Sequence, residues 1–128
     1  MQIDDGDVAR LNIEAAIMGR MMLTMFAAVQ RAYDPNRNIG AVIPEWIVSM
    51  FIRGNESNAP LSISRIAREI GLPRANVRRS LMNLMRLGLV LKVGDGYANN
   101  PEYIAKRAHD LKRAVEALKI AVEALASL

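Results

Sequence analysis

The sequence predicts a mainly α protein with one small β-hairpin, in which long helices at both ends flank a compact centre. Three observations carry this expectation. The chain is 52% hydrophobic but only 5% aromatic, so its core draws on Leu, Ile, Val, Ala and Met, most of which favour helix. Apolar residues recur at spacings of three and four over both ends of the chain, the period of an amphipathic helix. Late in the centre, LVLKVGDGY breaks that period with a β-branched run before a tight-turn signal, Asp95-Gly96, which reads as a hairpin because Asp-Gly readily takes the positive backbone angles of a primed turn. At 128 residues there is room for one domain with a sizeable core and helical extensions.

The elements follow in order. Asp7 is the expected N-cap of a helix over 8–33, with acids where the helix dipole favours them. Val8, Leu11, Ala15, Met18, Met22, Met25 and Val29 form its main stripe, and Ile13, Ile17 and Phe26 widen it, so this helix needs partners on more than one side. YDPNRNIG, 33–40, is a break. A second helix is expected over 44–53, opened by Pro44 and capped by Gly54, with Trp46, Ile47, Met50 and Phe51 buried. NESNAP reads as a polar loop and Leu61 as a minimal strand. Ser62 caps a helix over 63–70 whose Ile63, Ile66, Ala67 and Ile70 face inward.

Gly71 ends that helix, Leu72 plugs the core, and Pro73 opens a helix running to about 87. Two short helices joined by a three-residue turn with glycine make a helix-turn-helix, and the hairpin after it makes a wing. Pro101 starts the last helix, where Ile104, Ala108, Leu111, Val115, Leu118, Val122 and Leu125 keep heptad spacing. That pattern suits a two-stranded coil. Ala105, Ala114, Ala121 and Ala126 would equally allow close packing on the first helix. The fold class is thus a winged helix-turn-helix flanked by long terminal helices. Residues 1–40 and 101–128 are expected to dimerise, and 41–100 to form the central winged unit.

Charge locates the function. Between Ser62 and Lys92 lie seven basic residues against Glu69 alone, +6, which leaves −2 elsewhere in a chain of net charge +4. One basic segment on a near-neutral protein is the footprint of a polyanion. Stepping 100° per residue along 73–87 with Val77 inward puts Leu81 and Leu84 on the core side. Ala75, Arg79 and Arg86 then project outward, and Asn76, Arg78, Met82 and Asn83 lie on the shoulders. An arginine fork matches guanine or phosphate, and asparagine matches adenine. Asn76, Arg78 and Arg79 are therefore candidates for reading bases of double-stranded DNA, and Ala75 for close groove approach. Arg65, Arg68 and Lys92 are placed for phosphates, joined by the free amides behind Ser62 and Pro73.

PLSISRIAREIGLPRANVRRSLMNLMRLGLVLKVGDGY, 60–97, resembles the winged helix-turn-helix of bacterial transcription regulators, in particular the IclR-like and MarR-like groups. Its Gly-Leu-Pro turn and Leu-Gly-Leu lead-in to the wing are the shared features. The resemblance implies that Pro73, Arg74, Asn76, Arg78 and Arg79 lie on the recognition helix, and that the flanking helices build a homodimer. The wing is shorter than in many MarR-like proteins, and a separate ligand domain of the IclR type is missing from this sequence.

Other classes fit less well. With no cysteine there is neither a thiolate metal site nor a cysteine nucleophile, and no charged-then-apolar leader opens the sequence, so a cytoplasmic location is expected. The uncharged run 21–29 is too short for a membrane anchor. Asn55, Glu56 and Ser57 match a glycosylation sequon by chance if the chain is not exported. His109, the sole histidine, lacks partners for catalysis or metal, and Asp4, Asp5 and Asp7 read as capping residues. No enzyme activity and no cofactor are expected. Met18, Met21, Met22 and Met25 read first as core or dimer packing, and second as an adaptable pocket for a small-molecule effector. The alternative to DNA reading is a winged-helix protein-interaction module in a larger assembly, docking through the first helix.

Overall fold

The computed structural model describes residue 2, residues 4–55 and residues 59–128. Positions 56–58 of the NESNAP loop, including two of the three sequon residues, and the side chain of Ile104 lie outside the described residues. Among the described residues, five helices and one hairpin follow in the order α1 (Asp5–Tyr33), α2 (Ile39–Arg53), α3 (Ile63–Ile70), α4 (Arg74–Arg86), β1 (Val90–Val93), β2 (Gly96–Asn99) and α5 (Pro101–Ala126). The expected fold class, a winged helix-turn-helix flanked by long helices, is the one observed.

Local chemistry shifts two helix starts from their expected places. Asp4, not Asp7, caps α1: the Asp7 amide donates to Asp4 Oδ1 at 2.8 Å, and the Asp4 amide donates back to Asp7 Oδ2 at 3.4 Å. This reciprocal box needs an acid three residues after the cap, which is the place Asp7 fills. Helix α2 begins at Ile39 because the Asn38 side chain accepts from the Ala41 amide at 3.0 Å. Pro44 therefore sits inside the helix, early enough that the amide it lacks removes a single intrahelical bond. The buried face of α2 also differs from expectation. Val42, Glu45, Val48, Ser49 and Ile52 are buried, whereas Ile47 and Met50 are exposed, and Trp46 and Phe51 pack at the edge. Trp46 meets Phe26 of α1 edge-on, with ring centroids 6.4 Å apart.

The helix-turn-helix turns on Gly71, whose φ of 73° is left-handed, a region that side chains with a Cβ rarely adopt. In the wing, Val90 pairs with Asn99, Leu91 with Ala98, Lys92 with Tyr97 and Val93 with Gly96. The turn is thus Gly94-Asp95, with positive φ at Gly94, and not the Asp-Gly pair that the sequence suggested. Gly96 belongs to the strand for another reason: a Cβ there would lie 2.5 Å from the Pro60 Cβ and 2.9 Å from its carbonyl carbon. That approach lets Leu61 exchange both backbone hydrogen bonds with Tyr97 at 2.9 Å, adding the minimal third strand.

The core gathers Val42, Val48 and Ile52 of α2, Ile66 and Ala67 of α3, and Val77, Leu81 and Leu84 of α4. Leu61, Leu89, Val90 and Tyr97 close it from the wing side. The terminal helices run antiparallel, since Arg31 meets Asp110, Tyr33 meets Tyr103, and residues 17–24 meet 117–124. Ile17 and Ala28 of α1 and Ala114, Ala117 and Ala121 of α5 are buried along this seam. By length and composition α1 is also apolar enough to cross a membrane.

Tyr33 and Tyr103 sit where this hairpin joins the centre, ring centroids 6.2 Å apart, and neither hydroxyl has a hydrogen-bond partner among the described residues. Burial raises the Tyr33 phenol above its ordinary range, with Ser49 and Arg53 pulling it back. Burial also raises Tyr103, with Tyr33 adding to the effect and Arg107 opposing it. In the folded chain both phenols keep their protons above pH 10, where the unfolded chain releases them. The unfolded state then binds fewer protons, so stability falls as pH rises beyond about 10. Urea midpoints taken at about pH 8 and about pH 11 are expected to differ more for the wild type than for the Tyr33→Phe, Tyr103→Phe variant. Equal differences would remove the two phenols as the cause.

Candidate nucleic-acid interface

Helix α4 is the centre of the basic surface, and its register follows from burial. Val77, Ser80, Leu81 and Leu84 face the core, and Arg74, Ala75, Asn76, Arg78 and Arg79 are all exposed in its first two turns. Pro73 is the N-cap residue and offers no side-chain cap, so the opening amides of α4 have no side-chain acceptor there. Arg65 and Arg68 are exposed on α3.

The fold divides the exposed cations into two groups. On the wing side, Arg74, Arg78 and Lys92 line a cleft of about 430 Å³ together with Ser62, Ile63, Ser64, Asp95 and Tyr97. One helix start, one recognition-helix flank and one wing strand therefore converge. Ser62 Oγ accepts from the Arg65 amide at 3.1 Å, so the cap of α3 forms part of the cleft wall. On the opposite flank, Asn76 and Arg79 line a cavity of about 250 Å³ with Arg37, Ala41, Pro44, Glu45, Ser80 and Asn83. Arg65 and Arg68 line neither cavity.

Arg37 and Glu45 had no place in the sequence-level site, because Arg37 lies in the inter-helix break and Glu45 lies in a helix that reads as apolar. Glu45 is only 3% exposed. Its Oε1 accepts from Arg37 Nη1 at 2.6 Å and from Asn83 Nδ2 at 2.5 Å, while Oε2 has no partner among the described residues. Arg37 Nη2 also donates to the Ala41 carbonyl at 3.4 Å, and Gln30 Nε2 donates to the Arg37 carbonyl. Arg86 Nε and Nη2 both donate to Asn83 Oδ1 at 3.2 Å, and Nη2 lies 3.6 Å from Asp34 Oδ2. Asn83, placed on the shoulder by helical stepping alone, and Arg86, placed outward by it, both anchor α4, Asn83 through Glu45 and Arg86 through Asp34. Only the spatial meeting of positions 34–37, 45 and 83–86 could have disclosed this.

Residues 55–94 match the IclR helix-turn-helix domain, about a third of the chain, and the match spans α3, α4 and the first wing strand. Of the two groups that the sequence resembles, it is the IclR domain that matches. No curated protein and no solved structure matches the chain.

Removing one partner of a buried ion pair leaves an uncompensated charge, whereas removing both does not. Arg37→Met is therefore expected to lower unfolding free energy by on the order of 3 kcal/mol, and Arg37→Met with Glu45→Met to recover much of that loss. Denaturant titration of the two variants checks this, and additive losses would mean that the pair is not coupled. Residues 55–94, with their basic recognition helix and the wing behind it, are thus similar to the IclR helix-turn-helix domain, of the winged kind found in bacterial transcription regulators, which supports DNA as the partner of this surface.

Proposed function

We propose that the protein is a sequence-specific DNA-binding regulator of transcription that works in the cytoplasm as a homodimer on a pseudo-palindromic site. The observation that carries the DNA reading is the convergence of Arg74, Arg78 and Lys92 with the start of α3 around one cleft. Three cations and the opening turn of a helix, which favours anions, suit a phosphate between recognition helix and wing. With the backbone held there, the N-terminal half of α4 would enter the major groove. Asn76 and Arg79 meet base edges, Arg78 lies between bases and backbone, and Ala75 lets the helix approach closely. Arg65 and Arg68 on α3 serve phosphates outside the cleft.

Support for two copies comes from the terminal hairpin. The intrachain seam runs along 17, 21, 24 and 28 of α1 and 114, 117, 121 and 124 of α5. Each helix has a second stripe one residue further on. Met18 and Met22 on α1, and Val115, Leu118 and Val122 on α5, are about half exposed. A one-residue step turns the two helices of an antiparallel pair in opposite senses, so both stripes fall on the same side. With Val8 and Leu11, also about half exposed, they present on the order of 600 Å² of apolar surface, the upper end of what a monomer leaves wet. A second copy covering it forms a four-helix bundle. Residues 1–40 and 101–128 then join the copies while 41–100 reads DNA, with recognition helices about 34 Å apart.

Two measurements test this. Arg79→Ala is expected to cost about 1–3 kcal/mol on a selected site and to relax preference at one base pair, whereas Arg65→Ala weakens all duplexes alike and flattens the salt dependence. Anisotropy titrations on selected and random duplexes compare them, and equal losses on both would reject the division of roles. Leu118→Glu with Val122→Glu is expected to leave the helical content unchanged while converting a dimer to a monomer in sedimentation. A wild-type monomer, or a variant that remains dimeric, would reject the bundle. If the chain were instead an interaction module, the hairpin variant would lose its partner and neutralising Arg78 and Arg79 would change nothing.

A further inference from the structure

Among the cations between Ser62 and Lys92, Arg86 alone forms an ion pair with a described residue. Its side chain is 60% exposed, yet its donors turn back along the protein: Nε and Nη2 both reach Asn83 Oδ1 at 3.2 Å, and Nη2 lies 3.6 Å from Asp34 Oδ2. With Oδ1 held by Arg86, the other end of the Asn83 amide donates to Glu45 Oε1, which also accepts from Arg37. Charges therefore alternate along Asp34, Arg86, Asn83, Glu45 and Arg37, and the amide in the middle points its oxygen at a cation and its donor at a carboxylate. Reversing that amide would set it against both neighbours. The path also closes on itself, because Asp34 and Arg37 belong to one connection and the Arg37 amide donates to the Asp34 carbonyl at 3.2 Å. The end of α4 is thus tied at two points to the residues that directly follow α1.

We propose that Arg86 is a positioning residue for DNA recognition and not a phosphate contact. It holds the Asn83 amide, and through that amide and Asp34 it seats α4 on the α1–α2 connection, so that the exposed first turns of α4 meet base edges at one angle. A single contact lets a packed helix pivot about it, and a second contact one turn away opposes the pivot. Because α1 belongs to the terminal hairpin, the same ring sets how the reading face stands relative to that hairpin. Sequence-independent binding needs only cations near phosphates, whereas base readout needs side chains within hydrogen-bond reach of particular edges. Loosening the ring therefore lowers specificity ahead of affinity. The part of Arg86 in recognition rests on the DNA reading proposed above, and the ring of contacts does not.

The test compares the full wild-type chain with two variants. Arg86→Met keeps the stem and removes the donors; Asp34→Asn removes the charge and keeps an oxygen for the Asn36 amide, which donates to Asp34 Oδ1 at 3.2 Å. Anisotropy titrations on a selected and a random duplex across salt give each protein a specificity ratio and a salt slope. Both variants are expected to lower the ratio by roughly fivefold or more with the slope unchanged. If Arg86 instead touched a phosphate, Arg86→Met would weaken both duplexes alike and flatten the slope by about one, and Asp34→Asn, by removing an acid, would strengthen both. Either of those patterns, or an unchanged ratio in both variants, overturns the positioning role. Circular dichroism verifies folding, and should one variant not fold, the other carries the comparison. The ring is read without DNA from the Asn83 side-chain amide in NMR, identified by its loss in Asn83→Asp. Its exchange with water is expected to quicken roughly fivefold or more in Asp34→Asn and Arg86→Met, and unchanged exchange overturns the ring. A wild type that distinguishes no duplexes refutes the DNA reading and with it the role in recognition, while the exchange rate still decides the ring.

Discussion

The placement of the recognition helix depends on one buried carboxylate. Glu45 is buried midway along α2, where a charge is costly without partners, and its partners come from two other parts of the chain: Arg37 before the helix and Asn83 near the end of α4. Arg86 continues the chain of contacts to Asp34. Apolar packing along Val48, Ile52, Val77, Leu81 and Leu84 is non-directional and would tolerate some sliding of α4 on α2. Hydrogen bonds at 2.5–2.6 Å to one carboxylate oxygen do not tolerate it, because they fix both distance and direction. The exposed half of α4 is held in place by contacts to its other half.

That anchoring explains how one basic segment becomes two working surfaces. Along the sequence Arg74, Asn76, Arg78 and Arg79 are a single cluster. On the helix, Arg74 and Arg78 are four residues apart and share the flank facing the wing, while Asn76 and Arg79 are three apart and share the flank facing α2. The wing completes the first flank with Lys92, and the α1–α2 connection completes the second with Arg37 and Glu45. The short wing suffices because the Gly94-Asp95 turn leaves Lys92 opposite Tyr97, directly across from the start of α3.

The terminal helices show a different economy. Each has two apolar stripes at heptad spacing; on α5 one is of alanines and the other of larger residues, while on α1 the inner stripe itself mixes Ile17 and Met21 with Ala28. Small residues allow the close approach of α1 to α5, so the alanines of α5 were taken up within the chain. The larger Val, Leu and Met side chains remain outside. Periodicity alone makes both stripes visible, but it cannot say which packs within the chain and which stays exposed, since both satisfy the same spacing rule. The close fit available to alanine decided which stripe turned inward.

Much of the fold was legible because it rests on local rules. Ser62 and Gly71 bound α3, Pro101 opens α5, and the 3.6-residue period of 74–86 sets which arginines face outward, each through chemistry acting within a few positions. Where two local signals competed, the sequence reading chose wrongly: Asp4 over Asp7, Asn38 over Pro44, and Gly94-Asp95 over Asp95-Gly96 were settled by hydrogen bonds and by the approach of Pro60, which a linear pattern does not display. The inward turn of Asn83 and the burial of Glu45 were not legible at all. A charge is placed in a core only when distant residues meet it there, and no local propensity encodes that meeting. The sequence by itself therefore determined the helix-turn-helix, its wing and its basic face. The tertiary structure decided how that face is split, what holds it and which stripe remains open, because those outcomes depend on contacts between residues far apart in the chain.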